Sequence, residues 1–180
     1  MVDVTLEPAG PEKRPTLENL FQLYTHDFSD FWTDRADGEL EEDGRFAQYV
    51  PLDSYWTDAD RTPLLIRAGG HIAGFALINT FAHSGLPLDY SVAEFFVVRK
   101  HRRAGVGFAA VTQILRARPG QWEMAVARRN TAALTFWRRV AASIAAPSVE
   151  ELDRDDDLWD GAILRFRSGE GLATRLDDAI

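Results

Sequence analysis

The chain has 180 residues, 46% hydrophobic and 27% charged, proportions that fit one folded domain and exclude disordered, collagenous and coiled-coil classes. It contains no cysteine, so disulfides, thiolate metal sites, iron–sulfur clusters and a thioester on the protein itself are excluded, and a cytoplasmic setting is expected. The net charge of −8 disfavours nonspecific nucleic-acid binding.

Along the chain, the opening MVDVTLEPAGPEKRPT lacks the basic flank and apolar run of an export signal, and no apolar stretch approaches the ~18 residues of a membrane span. Val2 to Leu6 alternate and predict an edge strand. From Thr16, the spacing Leu17, Leu20, Phe21, Tyr24, Phe28, Phe31 predicts an amphipathic helix capped by Thr16. Thr33 to Arg61 mixes acids, glycine and aromatics, with a short helix expected near Phe46. Pro63–Arg67 and Ile72–Phe81 predict two strands joined as an antiparallel hairpin at Gly69-Gly70.

Leu86 to Val98 reads as a central strand because Phe95-Phe96-Val97-Val98 is apolar on both faces. Gly105–Ala117 is then a helix, Trp122–Ala127 a strand, Asn130–Ala141 a helix that Asn130 can cap, and Gly161–Phe166 a last strand. Strands first, then strand–helix alternation, predict an α/β (α+β) domain: a mixed, mostly antiparallel sheet with flanking helices.

Charge is unevenly spread. Between Asp27 and Asp60 only Arg35 and Arg45 oppose a run of acids that includes Asp27, Asp30, Asp34, Asp37, Glu39, Glu41, Glu42 and Asp43. From Arg99 to Val140 the bias reverses, with Glu123 the lone acid among ten basic residues. Either region can be a solvated face. The basic one also contains Val97-Val98-Arg99-Lys100-His101-Arg102-Arg103-Ala104-Gly105-Val106-Gly107, a buried strand running into a glycine turn and a helix start. Glycines permit close backbone approach, the helix start offers N–H donors, and arginines add countercharge, so in chemical terms this is a phosphate cradle. It is neither a Walker loop nor a dinucleotide fingerprint.

The segment Arg102-x-x-Gly105-x-Gly107 after a central strand resembles the acetyl-CoA loop of the GNAT superfamily of N-acetyltransferases. Asn130-Thr131-Ala132-Ala133-Leu134-Thr135-Phe136-Trp137 is similar to the family's Asn-x-x-Ala-x-x-Phe-Tyr segment. The resemblance covers roughly Leu86 to Val140 and implies three parts: a variable acceptor-side half over 1–85, an acetyl-CoA-binding core over 86–140 and C-terminal strands over 141–180. It further implies that backbone groups of Phe96, Val97 and Val98 bind the pantetheine arm as an added strand at a splayed sheet edge. Arg102, Arg103, Ala104, Gly105, Val106 and Gly107 are implied to wrap the diphosphate, and Asn130, Ala133 and Trp137 to line the arm or thioester. Arg103, Arg138 or Arg139 are candidates for the 3′-phosphate, and a solvated helix face is the other reading for the last two.

Transfer to an amine needs a base for the ammonium, an oxyanion donor and an acid for the leaving thiolate. Glu94, beside Phe95 and Phe96, is the expected base, with a structural hydrogen bond or ion pair as the other reading; strand alternation does not say which face meets the acceptor. Trp137 stands where many members carry Tyr, and an indole cannot donate a proton at neutral pH. The acid then falls to Tyr90, Tyr24, Tyr55 or water, and the family's Gly-Phe after that helix is replaced by Ala141-Ala142. His26, His71, His83 and His101 lack metal-ligand spacing, so no metal is expected. The aromatics Tyr24, Phe28, Phe31, Trp32, Tyr49, Tyr55 and Trp56 read as core; any that line a cleft would suit a cationic amine beside those acids. The expectation is an acetyl-CoA-dependent enzyme acting on a small amine, with no nucleic-acid or membrane partner and with room for a homodimer. Two competing readings remain: a catalytically degenerate CoA-binding module, motivated by Trp137, and a nucleic-acid binder using the arginines.

Overall fold

A computed structural model describes residues 2–31, 38–48 and 50–169. Its elements run β1 (Val4–Pro8), α1 (Arg14–Ser29), α2 (Ser54–Thr57), β2 (Thr62–Ala68), β3 (His71–Asn79), β4 (Tyr90–Val97), α3 (Val106–Ala117), β5 (Gly120–Ala127), α4 (Thr131–Ile144), β6 (Ala145–Asp155) and β7 (Asp160–Ser168). The strands form one seven-stranded sheet in the order β1-β2-β3-β4-β5-β7-β6. This is the expected mixed, mostly antiparallel sheet with helices. Two compact units make up the chain, one comprising residues up to Leu77 with Glu94–Val106, the other Ile78–Ala93 with the residues from Gly107 onward.

In the first unit, β1 pairs antiparallel with β2, Val4 opposite Ala68 and Pro8 opposite Leu64. β1 starts two residues later than alternation suggested and ends at Pro8, which has no amide hydrogen for a further ladder bond. The hairpin turn Gly69-Gly70 has positive φ at both residues, 56° and 79°, the requirement of a tight two-residue turn. α1 begins at Arg14 rather than after Thr16, because a 3₁₀ turn at Pro11–Lys13 leads into it and Pro15 presets its first turn. Thr16 therefore lies inside the helix and is not its cap. The predicted stripe is buried at Leu17, Leu20 and Phe21.

The helix expected near Phe46 forms instead at Val50–Asp53 (3₁₀) and α2, burying Leu52 and Tyr55. Phe46 is held by Gln22, whose side chain accepts from the Phe46 N–H at 2.8 Å and donates to its carbonyl at 3.1 Å. With both backbone groups satisfied by a side-chain amide, Phe46 makes only an isolated bridge to Leu40. Trp32, Asp34, Arg35, Asp37 and Tyr49 lie outside the described residues.

In the second unit, β4 and β5 pair in parallel, Tyr90 opposite Trp122 and Ser91 opposite Glu123. β7 pairs antiparallel with β5 along Gly120–Ala127 and with β6 on its other side. Trp122, Ile114, Leu115, Met124 and Phe166 are fully buried there. β4 begins at Tyr90 rather than Leu86, since Asp89 turns the chain: its carboxylate accepts from the Gln121 N–H at 2.7 Å. β6 had no clear sequence signal. Among the described residues it pairs only with β7, and those beyond 147 are mostly exposed, so no apolar alternation is needed to hold it.

Candidate active site

The first unit gathers α1, the end of β4 and the loop after it. Helical spacing sets Tyr24, Asp27 and Phe28 on one side of α1. The Tyr24 ring meets Phe28 at 4.5 Å, Phe75 at 5.8 Å and Phe96 at 5.9 Å, and its hydroxyl donates to Glu94 Oε2. Glu94 is half-buried on β4. An aromatic cluster thus aims a phenol at the carboxylate expected to act as base.

The end of β4 has a defined backbone orientation. The Val98 N–H donates to the Ala73 carbonyl at 2.8 Å, and a Cβ on Gly74 would fall 1.9 Å from the Phe96 carbonyl oxygen. Phe96 and Val98 therefore face β3, and strand alternation turns the Val97 N–H and C=O the other way. The Val97 carbonyl accepts from Arg102 Nε at 2.6 Å. Of the three expected backbone ligands, Val97 is the one directed away from β3.

Beyond β4, a 3₁₀ turn at Arg99–His101 is followed by a turn that enters α3 at Val106. Arg103 has φ 61°, the one positive φ outside glycine among the described residues, and Gly105 has φ 80°. Left-handed residues immediately ahead of a helix start turn successive N–H groups into a concave, anion-sized nest. Nothing lies within 4 Å of where a Gly105 Cβ would stand, so the nest is open on that side and the residues present fit a diphosphate. Arg102 to Gly105 are exposed and Val106 is buried.

The loop arginines divide their work. Arg102 Nη2 donates to Asp27 Oδ2, and Arg99 donates to Asp27 Oδ1 at 2.8 Å and 3.2 Å. The Arg102 guanidinium also lies over the Phe96 ring, 5.4 Å from its centroid. Burial pushes the Asp27 carboxyl upward, but the hydrogen bonds from Arg102 and Arg99 outweigh it and hold it below the ordinary aspartate value. Arg103 and Lys100 are exposed and make no ion pair with the described residues.

In the second unit, Asn130 caps α4: its Oδ1 accepts from the Ala133 N–H at 3.1 Å. Trp137 is buried, with its ring 5.0 Å from that of Phe136. The Tyr90 ring stacks on Trp122 at 4.8 Å and 32°, and Tyr90 and Glu94 fall in different units. Arg138 pairs with Glu151 at 2.5 Å, while Arg139 lies over the Phe108 ring at 5.3 Å. No helix among the described residues is long and apolar enough to cross a membrane. No group of three or more His, Asp or Glu among them is placed to hold a metal ion.

The sequence profile of the Acetyltransferase (GNAT) family matches residues 17–141, a span that contains most of α1, all of β4, the open nest and most of α4. The chain belongs to the GNAT acetyltransferase family. No curated protein matches this GNAT chain significantly, but solved structures share its fold. An acetyltransferase from Thermus thermophilus superposes with TM-score 0.63 at 15% identity, covering 92% of this chain and 97% of that one. The PaiA N-acetyltransferase from Thermoplasma acidophilum, in complex with coenzyme A, gives 0.57 at 11% identity over 92% and 99%. A spermidine N-acetyltransferase from Vibrio cholerae, in complex with CoA and spermine, gives 0.57 at 12% identity over 92% and 95%.

Sequence reasoning passed over three features of this GNAT domain. Asp27 was one acid among many in the acidic run, and nothing local distinguished it. Gly74 reads as an ordinary strand glycine until Phe96 is seen against it. Glu123, fully buried, accepts from Arg165 Nη1 at 2.7 Å and from the Ser84 hydroxyl at 2.5 Å. For Glu123 a signal existed: a single carboxylate within Trp122-Glu123-Met124-Ala125-Val126 must be paired if the strand is buried.

Proposed function

We propose that this GNAT protein transfers the acetyl group of acetyl-CoA directly to the nitrogen of an amine, with a small cationic amine as acceptor. The observation that carries the donor half is the left-handed pair Arg103 and Gly105 opening onto the start of α3. The amides of Arg103, Ala104, Gly105, Val106 and Gly107 receive the diphosphate, with exposed Arg103 as countercharge. The Val97 carbonyl, which keeps a second lone pair beside Arg102 Nε, accepts from an amide of the pantetheine arm, flanked by Phe96 and Val98. The family resemblance assigns Asn130, Ala133 and Trp137 to the arm or thioester as well; with its Oδ1 committed to the cap, Asn130 keeps its side-chain nitrogen as a donor. The exposed acids Glu39, Glu41, Glu42 and Asp43 support a cationic acceptor by long-range attraction, as does the spermine complex of a protein with this fold. A cysteine-free chain using this coenzyme suits the cytoplasm.

The proton balance uses residues already in contact. Glu94 takes a proton from the acceptor ammonium, and the neutral nitrogen attacks the thioester carbonyl as the new C–N bond forms. The oxyanion is received by the Val97 N–H, because that of Val98 is committed to Ala73. The C–S bond breaks, the thiolate takes the Tyr24 hydroxyl proton, Tyr24 is refilled from Glu94 across their hydrogen bond, and Glu94, ionised again, takes the second proton from the nitrogen of the new amide and releases it to water. The relay runs through Tyr24 rather than Tyr90, whose ring is stacked on Trp122.

The test is calorimetry with coenzyme A, followed by acetyl transfer across a panel of mono- and polyamines. Glu94→Gln is expected to keep coenzyme binding and lower kcat by roughly 10²- to 10⁴-fold with a changed pH profile; full activity across pH would remove Glu94 as base. Gly105→Val, strained at φ 80°, is expected to abolish coenzyme binding. Coenzyme binding with no transfer to any amine would favour the regulatory binding module, the reading that buried Trp137 in place of a Tyr supports.

A further inference from the structure

Helix α1 contains none of the residues expected to touch the coenzyme's diphosphate, yet one of its side chains is the anchor for the loop that would. Arg102 is held on three sides: by the Val97 carbonyl at 2.6 Å, by Asp27 Oδ2, and by the Phe96 ring at 5.4 Å. Arg99 reaches the other oxygen of the same carboxylate at 2.8 Å. The Asp27 side chain is 17% exposed, against 41% for Arg102 and 71% for Arg99. The carboxylate is thus the sheltered partner, on a rigid helix, and the arginines are the parts that would otherwise move. Between these two pinned residues and α3 lies the turn that carries the left-handed Arg103 and Gly105.

We propose that Asp27 is a positioning residue for the coenzyme's diphosphate. By holding Arg99 and Arg102 it presents the amides of Arg103, Ala104 and Gly105 in the curved arrangement an anion needs, and it does so against its own charge. This rests on the coenzyme reading given above. The sign of the effect is diagnostic. By Coulomb's law alone, removing a carboxylate beside an anion site and releasing two guanidinium groups would tighten binding; loss of positioning weakens it.

The experiment is calorimetric titration of coenzyme A into the full chain and its Asp27→Asn, Asp27→Glu and Asp30→Asn variants. Alongside it, hydrogen exchange of the amides at 99–105 is followed in the coenzyme-free proteins. Asp27→Asn is expected to weaken the Kd roughly tenfold, the scale of hydrogen bonds to a charged group, and to speed exchange in the loop. Asp27→Glu recovers part of both. Asp30→Asn removes the same charge from the exposed end of the same helix and keeps the parental Kd. Should Asp27→Asn fold poorly, Arg102→Lys keeps the charge, loses the fork that spans Val97 and Asp27, and weakens the Kd likewise.

Unchanged or tighter binding by Asp27→Asn overturns the proposal, the tighter result making Asp27 a competitor of the diphosphate. Binding by the unsubstituted chain that ignores Asp27 leaves the coenzyme reading intact and removes only this inference. No binding by the unsubstituted chain removes both.

Discussion

Two carboxylates, one in each unit, are each gripped by arginine, and their surroundings give them different work. Glu123 is wholly buried and Arg165 only 6% exposed at its side chain. Around them, Ser84 donates to Glu123 through N–H and hydroxyl, and Arg165 Nη2 donates to the Pro87 carbonyl at 2.8 Å. Asp27 is sheltered, but its arginines stand in water. In the dry setting the pair must be complete or the structure suffers, because a lone buried charge is very costly. In the wet setting the pair adds little stability, and its value lies in where it puts the backbone of the loop.

The sharpest way to break that comparison is Glu123→Ala, which strands Arg165 and is expected to cost about 3–5 kcal/mol in denaturant unfolding. Replacing both partners with apolar residues of similar volume, Glu123→Leu with Arg165→Met, should restore most of it; a single-variant loss below ~1 kcal/mol would contradict the buried-pair account. Next comes Gly74→Ala, whose Cβ would meet the Phe96 carbonyl oxygen at 1.9 Å. It should cost about 1–3 kcal/mol and shift the amide resonances of Phe96 and Val97.

Smaller is the pH effect of His83, which burial holds below the ordinary histidine value, with Glu123 raising it and Arg154 lowering it. Since the folded pKa is depressed, its contribution is complete above pH ~6.5 and is lost as pH falls toward the folded value. The Tm of the parent should therefore fall with acidification in that window more than that of His83→Gln. The smallest stability effect is that of Asp27→Asn, expected at under ~1 kcal/mol at neutral pH. Its folded pKa is lowered, so the contribution is present above the ordinary aspartate value and fades as pH falls through the lower folded one. Parent and variant should converge in stability as the pH drops below that folded value, and divergence there would show that the latch acts through something other than charge.

Much of the layout was legible because it is local. Gly69-Gly70 calls for left-handed backbone at two successive residues, and the turn has it. Asn130 three residues ahead of Ala133 is a cap whatever lies elsewhere, and the bond forms. Elements were misread where a distant partner intervened: Gln22 holds Phe46 out of a helix from 24 residues away, and β6 exists because β7 is there to pair with it.

The residues of the loop between β4 and α3, the glycine that lets it curve and the lone acid on β4 were determined by the sequence alone, since each depends on backbone freedom or side-chain chemistry within a turn or two. Only the tertiary structure decided that Tyr24 meets Glu94 across 70 positions, that Asp27 meets Arg102 across 75 and that Glu123 meets Arg165 across 42. A charge or hydroxyl has many potential partners in a chain of this composition. Which one it finds follows from strand order and helix placement, and these are set by burial of the whole apolar core rather than by any short run of residues.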